Sequence, residues 1–136
     1  MPKPISKTKV KHKVSWWHKR LDDKQRVWFR EVYRDSGCCI CGGQNIQVSH
    51  IYPKGTYRGL RYDPMNIVPH CGYHHMFFWH ANPLEAHKWF REKFPDRYTY
   101  LQEASKVFIK VNEGFFQKVD KAMDERDTKS LLTLDI

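Results

Sequence analysis

The chain has 136 residues, enough for one folded domain with a modest core and too few for two independent ones. It carries 24 Lys and Arg against 15 Asp and Glu, and the net charge of +9 indicates a polyanionic partner, with nucleic acid first among the candidates. The apolar stretches are too short to cross a membrane, and the N-terminus lacks a signal peptide's apolar segment. We therefore expect a cytoplasmic protein whose cysteines bind metal rather than form disulfides.

The first part of the chain divides into an arm and a helix. Residues 1–15 are rich in Lys and have no apolar periodicity, which is typical of a flexible basic arm. From Trp16 to Arg34 apolar residues recur at roughly helical spacing, and Asp35-Ser36-Gly37 ends the predicted helix. The expected apolar stripe consists of Trp17, Leu21, Trp28 and Val32.

The middle of the chain is rich in turns. A knuckle is predicted at residues 38–43, a strand over residues 46–51 and a second, weaker strand near residues 66–68. The segment between the strands, residues 52–64, mixes prolines and glycines with basic side chains. It is predicted to be an exposed basic loop.

Three helices are expected in the rest of the chain. The first begins after Cys71 and ends at Asn82-Pro83, and the second spans roughly residues 84–94, where Pro95 ends it. A long amphipathic helix is predicted over residues 99–127. Its expected buried stripe consists of Leu101, Val107, Phe108, Val111, Phe115, Val119 and Met123.

Together these elements predict an α+β fold in a single domain, residues 16–128. The core is expected within residues 38–80 and a C-terminal helical cover within residues 84–127, with residues 129–136 as a tail. The long terminal helix is also the candidate surface for a homodimer, although capping its own core is the expected role.

Two short pairs of soft ligands indicate a structural zinc site. Zn²⁺ takes four Cys or His donors in tetrahedral geometry, and Cys38-x-x-Cys41 followed by Cys71-x-x-His74 supplies them. Because neighbouring donors compete, Cys39 or His70 can take the place of one of the four. A site closed by four protein ligands leaves no position for a substrate, so its role is expected to be structural.

Three further polar residues lie inside this zinc frame. His50, on the predicted strand, is followed by Asn66 and then by His75. Hydrolysis of a phosphodiester bond needs a neutral imidazole to deprotonate water, a group that orients this imidazole, and a ligand that places a cation against the phosphate. The three residues are candidates for these three roles.

The order of these motifs resembles the HNH endonucleases, which have a ββα-metal (His-Me finger) fold. The shared pattern is a Cys-x-x-Cys-Gly knuckle, a strand ending in the base histidine, Asn before an apolar-Pro-x-Cys run, and Cys-x-x-His-His opening the metal helix. It covers roughly residues 27–103. The segments LRYDPMNI, FFWH and NPLEAHKW more specifically resemble HNH proteins of phages and prophages, including the lambdoid NinG (Rap) recombination nucleases.

The resemblance implies a zinc-stapled ββα-metal core with flanking N- and C-terminal helices. It implies that His50 is the general base, that Asn66 fixes its orientation, and that His75 binds a catalytic divalent ion, Mg²⁺ or Mn²⁺. The implied reaction is metal-dependent hydrolysis of DNA that leaves a 5′-phosphate, in a bacterial or phage-infected cell. Branched recombination intermediates are the candidate substrates on this resemblance alone.

One departure from the family pattern concerns the second ligand of the catalytic ion. Many relatives have Asp or His just before the base histidine, whereas this chain has Ser49, a poor lone ligand for a hard cation. His80, five residues beyond His75, is expected on nearly the same side of the helix and is a further candidate. Water is another.

The loop between the base and the Asn carries the expected DNA contacts. These are Lys54, Tyr57, Arg58 and Arg61, together with the lysines of the N-terminal arm. They would bind phosphates without reading the base sequence. The alternative is a solvated loop with no such role.

Three alternative functions stay open. The Ser49 departure also fits a zinc-dependent DNA-binding module that has lost catalysis. The same motifs occur in homing or restriction-type HNH nucleases that read a DNA sequence. RNA is another target of the same chemistry.

Overall fold

The computed structural model describes residues 11–125, which form a mixed α+β fold of helices around one small sheet. The predicted tail and the first ten residues of the predicted arm lie outside this range. No helix within residues 11–125 combines the length and apolar character that crossing a membrane requires. The elements are α1 (Val14–Val32), β1 (Ile46–His50), β2 (Ile67–Cys71), a π-helix (His74–His80), α2 (Pro83–Lys93), α3 (Pro95–Ala104) and α4 (Glu113–Asp124).

The two strands pair antiparallel, with Ile46 opposite Cys71 and His50 opposite Ile67. The π-helix follows β2 directly and packs against both strands. The buried indole of Trp79 on this helix donates a hydrogen bond to the main-chain oxygen of His50 at 3.0 Å. This contact fixes the end of β1 beside the π-helix.

Helix α1 packs against α4 because both present an apolar face. The buried side chains of α1 are Trp17, Leu21, Gln25 and Phe29, four residues apart. Trp17 and Leu21 meet the buried face of α4, which consists of Phe115, Phe116, Val119 and Ala122. The expected stripe was therefore wrong in its second half: Val32 is 52% exposed and Trp28 half-buried, since positions 25 and 29 continue the spacing that starts at Trp17.

A second apolar cluster lies under α2 and α3. It joins Ile51 and Val68 of the hairpin region to Trp79 of the π-helix and to the helical cover. Ala86, Phe90 and Leu101 supply the buried side chains of that cover. The expected helices after residue 83 therefore do pack over the hairpin.

The long terminal helix that the sequence predicts is in fact two helices. The helix α3 ends at Ala104, and α4 begins after Asn112, whose side-chain oxygen caps it by accepting from the Phe115 N–H at 2.9 Å. Between them runs Val107-Phe108-Ile109, a β-branched and aromatic run of modest helix propensity. Val107 and Phe108 are 47% and 89% exposed, so their place in the predicted buried stripe was wrong.

Candidate metal and catalytic site

Four soft donors meet where the knuckle, the end of β2 and the start of the π-helix come together. The ligand atoms of Cys38, Cys41, Cys71 and His74 all lie within 4.8 Å of one another, so the group can hold a metal ion such as zinc. Cys41 Sγ lies 3.7 Å from Cys71 Sγ, and Cys38 Sγ lies 3.7 Å from His74 Nδ1. Ligands bound tetrahedrally at about 2.0–2.3 Å have edges of roughly this length.

The knuckle is shaped for this arrangement by its backbone. Gly37 has φ of +65°, and a Cβ there would lie 2.6 Å from the main-chain oxygens of Gly42 and Gly43, so the turn requires glycine. Burial raises the pKa of the Cys38 thiol, but hydrogen bonds from backbone N–H groups outweigh it and bring the pKa down to about 6. Cys38 is thus readily available as a thiolate, the form that binds metal.

The two alternative ligands are engaged elsewhere. The Cys39 side chain packs against the apolar cluster under α2 and α3, and burial raises its pKa to about 12, which keeps it a thiol. His70 is fully buried and its Nδ1 lies 2.7 Å from the hydroxyl of Ser49. The four ligands that the sequence favours are therefore the ones whose donor atoms come together in the structure.

His50 ends β1 with its imidazole held from one side. Its Nε2 lies 3.0 Å from the main-chain oxygen of Arg61, and because a carbonyl can only accept, Nε2 carries the proton. Burial lowers the pKa of His50 to about 4, so the ring is neutral near pH 7. Within residues 11–125 no group bonds to Nδ1, which leaves that nitrogen's lone pair available for a proton.

Asn66 is fully buried and does not touch the imidazole of His50. Its side-chain oxygen accepts from the Tyr52 N–H at 2.8 Å, and its amide donates to the main-chain oxygens of Tyr52 and Leu60 at 3.1 and 3.0 Å. Asn66 therefore holds the loop backbone at Leu60. The next residue, Arg61, has the main-chain oxygen that accepts the hydrogen bond from His50. The link between Asn66 and His50 therefore runs through the loop backbone.

Ser49 lies between two imidazoles. Its fully buried hydroxyl is 2.7 Å from His70 Nδ1 and 2.7 Å from His75 Nδ1. A hydroxyl has one proton, so Ser49 donates to one ring and accepts from the other. This placement makes Ser49 a hydrogen-bond partner of His75.

His75 and His80 face each other across one turn of the π-helix. Their Nε2 atoms are 3.0 Å apart. In an α-helix, side chains five residues apart point about 140° away from each other. The wider π-turn brings them to the same side, and such turns are frequent at functional sites.

The basic loop gives its cationic residues unequal roles. Lys54 and Arg58 are exposed. Burial is the main cause that lowers the pKa of His50 and of His75, and the charge of Lys54 acts in the same direction on both rings. Tyr57 packs edge-on against Tyr52, with ring centres 4.9 Å apart. Arg61 forms an ion pair with Asp22, whereas Lys54 and Arg58 are exposed.

The two residues of α1 that bind Arg61 were not among the sequence candidates. Asp22 binds the guanidinium of Arg61, and Gln25 donates to the main-chain oxygen of Arg61 at 3.2 Å. Gln25 sits at a position that continues the apolar stripe of α1 and is only 4% exposed. A polar side chain on a buried stripe is the signal from which its role can be found.

Comparisons with family models, with curated proteins and with solved structures find no match for this chain.

Proposed function

We propose that the chain is a metal-dependent endonuclease that hydrolyses phosphodiester bonds in DNA through an HNH-type ββα-metal core. The observation that carries the proposal is the arrangement at the end of β1. His50 presents a neutral ring with Nδ1 free, while its neighbour Ser49 bonds to His75 on the π-helix. A strand that ends in a base beside a helix with metal ligands is the arrangement that the family resemblance implies.

In this proposal His50 is the general base. Its Nε2–H stays on the Arg61 oxygen while Nδ1 accepts a proton from the attacking water. The positive charge of Lys54 nearby favours a phosphate at the same place. Because Asn66 closes the loop that carries this oxygen, it supports the base indirectly.

His75 and His80 would hold the divalent ion. Two nitrogens that bind one cation at about 2.1 Å can lie 3.0 Å apart, so the pair fits this role. Imidazole suits Mn²⁺ and other transition metals better than Mg²⁺, which prefers oxygen, so Mn²⁺ is the better of the two expected ions. When bound, the ion would supply positive charge against the phosphate and the leaving oxygen.

Zinc on the four-donor group would hold this site together. The group ties the knuckle and the end of β2 to His74, and His74 is directly followed by His75. A rigid anchor of this kind orients the π-helix without taking part in the reaction. The Lys54 and Arg58 side chains are the proposed phosphate contacts, and branched DNA remains a substrate suggested by resemblance alone.

The proposal is tested by incubating supercoiled plasmid with the zinc-loaded protein and Mn²⁺ or Mg²⁺. We expect nicking with Mn²⁺, and a loss of about 100-fold or more in rate for His50→Ala, since general base catalysis contributes this much. Zinc content and the circular dichroism spectrum should stay unchanged. His12→Ala, which removes an imidazole that stacks on Trp16, serves as the control and should cut normally. Equal rates for parent and His50→Ala would reject the base assignment.

A zinc-dependent DNA-binding module without catalysis is the second candidate. It is favoured by the small donor set at His75 and His80, because the four-donor group is the only cluster of three or more Cys, His, Asp or Glu ligands within residues 11–125. Retained DNA binding with no nicking at any metal would favour the module. Mapped cuts at one defined site would indicate a sequence-reading nuclease, and faster cleavage of RNA hairpins would indicate an RNA target.

A further inference from the structure

We propose that Asp22 and Gln25 of α1 are positioning residues for His50 and act through Arg61. The inference rests on the proposed function, because it concerns how the proposed base is kept in place. Helix α1 lies outside the hairpin and π-helix that carry the base and the metal ligands. The site would thus depend on a helix that contributes none of its reacting groups.

The first contact is at the main-chain oxygen of Arg61. This oxygen accepts from His50 Nε2 at 3.0 Å and from the Gln25 amide at 3.2 Å. Gln25 is almost fully buried, and a buried amide is stable only where it has a hydrogen-bond partner. Its N–H therefore fixes the oxygen to which the imidazole is bound.

The second contact is at the other end of the same residue. The Arg61 guanidinium binds both carboxylate oxygens of Asp22, Nη2 to Oδ2 at 2.6 Å and Nε to Oδ1 at 3.2 Å. Both side chains are largely shielded, at 13% and 24% exposure. A bidentate pair of this kind restricts orientation as well as distance. Asp22 and Gln25 lie three residues apart, so one face of α1 grips Arg61 at both its main chain and its side chain.

The charges of this pair also act on the base directly. Arg61 lowers the pKa of His50, whereas the hydrogen bond to the Arg61 oxygen and the charge of Asp22 raise it. Although burial of Asp22 acts in the other direction, Arg61 lowers the pKa of Asp22, which stays ionised. Losing Asp22 would therefore loosen the acceptor of His50 and also make its imidazole a weaker base.

The test compares Asp22→Asn and Gln25→Met with Asp23→Asn in the zinc-loaded full chain. Asp23 is the neighbouring carboxylate, and it is exposed and forms an ion pair with Arg26 on its own helix. The first readout is plasmid cleavage with Mn²⁺. We expect kcat to fall about tenfold in the first two variants with KM within about twofold, and no change for Asp23→Asn. Asp22→Glu should recover part of the lost kcat.

The second readout does not depend on activity. A ring N–H held by a carbonyl exchanges slowly with water, so NMR of the parent should show a His50 Nε2–H proton. We expect this signal to broaden in Asp22→Asn and in Gln25→Met and to persist in Asp23→Asn. Unchanged zinc content would establish that each variant is folded.

The outcomes separate the two proposals. If kcat and the ring N–H signal of Asp22→Asn and Gln25→Met match those of Asp23→Asn, the positioning role is overturned. A parent that cuts neither DNA nor RNA would overturn the proposed function instead. In that case the His50 ring N–H signal still tests the positioning role. Its loss in both variants would support that role for Asp22 and Gln25, and its persistence would refute it.

Discussion

The buried imidazole of His70 makes the stability of the fold depend on pH. It is fully buried against aromatic rings and has one hydrogen bond, to Ser49. Burial lowers its pKa to about 4, whereas an unfolded histidine titrates near 6.5. Between these values the unfolded chain binds more protons than the folded chain. The stability that the neutral ring contributes above pH 6.5 is therefore lost as the pH falls toward 4.

We predict that the difference in unfolding free energy between the parent and His70→Gln becomes smaller as the pH falls. The glutamine can bond to Ser49 but has no ring to protonate, so only the parent suffers the acid penalty. The gap in unfolding free energy, measured with denaturant in excess zinc, should shrink by about 1.4 kcal/mol per pH unit between pH 6 and 5. A gap that stays constant would mean that His70 titrates normally in the folded state.

For single residues, the sequence predicts which side chains are metal donors better than it predicts which groups bond to them. Spacing alone predicted the four donors that the structure brings together, because short motifs constrain chemistry locally. It could not identify the acceptor of His50, since that acceptor is a main-chain oxygen, and every residue has one. It also could not pair Arg61 with Asp22, 39 positions away. Tertiary packing decides such contacts.

Among the elements, the knuckle is the one that we expect to depend most on a bound ion. Cys41 is exposed and has little packing of its own, so its contribution must come through metal binding. We predict that Cys41→Ser loses zinc and lowers the melting temperature to that of the chelator-treated parent. Cys39→Ser, at a thiol outside the four-donor group, should keep its zinc. Elemental analysis after gel filtration measures both, and equal zinc in the two variants would contradict the ligand assignment.

The elements also show where periodicity stops being informative. An apolar repeat of three to four residues runs from Leu101 to Val119, and it predicted one helix where a cap at Asn112 starts a second one. The two ends of this repeat pack in different apolar clusters, Leu101 with Ala86 and Phe90, and Val119 with residues of α1. The π-helix is a similar case. The sequence predicts a helix after Cys71 with His80 on nearly the same side as His75, but it is the wider π-turn, and not α-helical spacing, that brings their Nε2 atoms to 3.0 Å.

For the molecule as a whole, the loop between the strands connects both apolar clusters. Its first residue, Ile51, packs under α2 and α3, whereas Tyr62 packs between α1 and α4. Gly59 allows Ile109 to approach so closely that a Cβ there would lie 2.5 Å from the Ile109 Cβ. The loop that would face DNA is therefore anchored along its length, while Lys54 and Arg58 remain exposed.

We predict that these two cations account for a measurable part of the salt dependence of DNA binding. Replacing both Lys54 and Arg58 by Ala should make the plot of log affinity against log salt shallower by about two, since each phosphate contact contributes about 0.9. The control is Lys88→Ala with Arg91→Ala on α2, which removes the same charge from exposed positions. Equal slopes for the two double variants would show that net charge, and not this loop, governs binding.

The account as a whole requires two different ions at two separate places. The most direct measurement is anomalous X-ray diffraction from crystals of the zinc-loaded protein soaked in Mn²⁺. We predict a zinc peak among Cys38, Cys41, Cys71 and His74, and a manganese peak in contact with His75 and His80. Manganese bound elsewhere, or at no ordered position, would contradict the claim that the π-helix holds an ion beside His50.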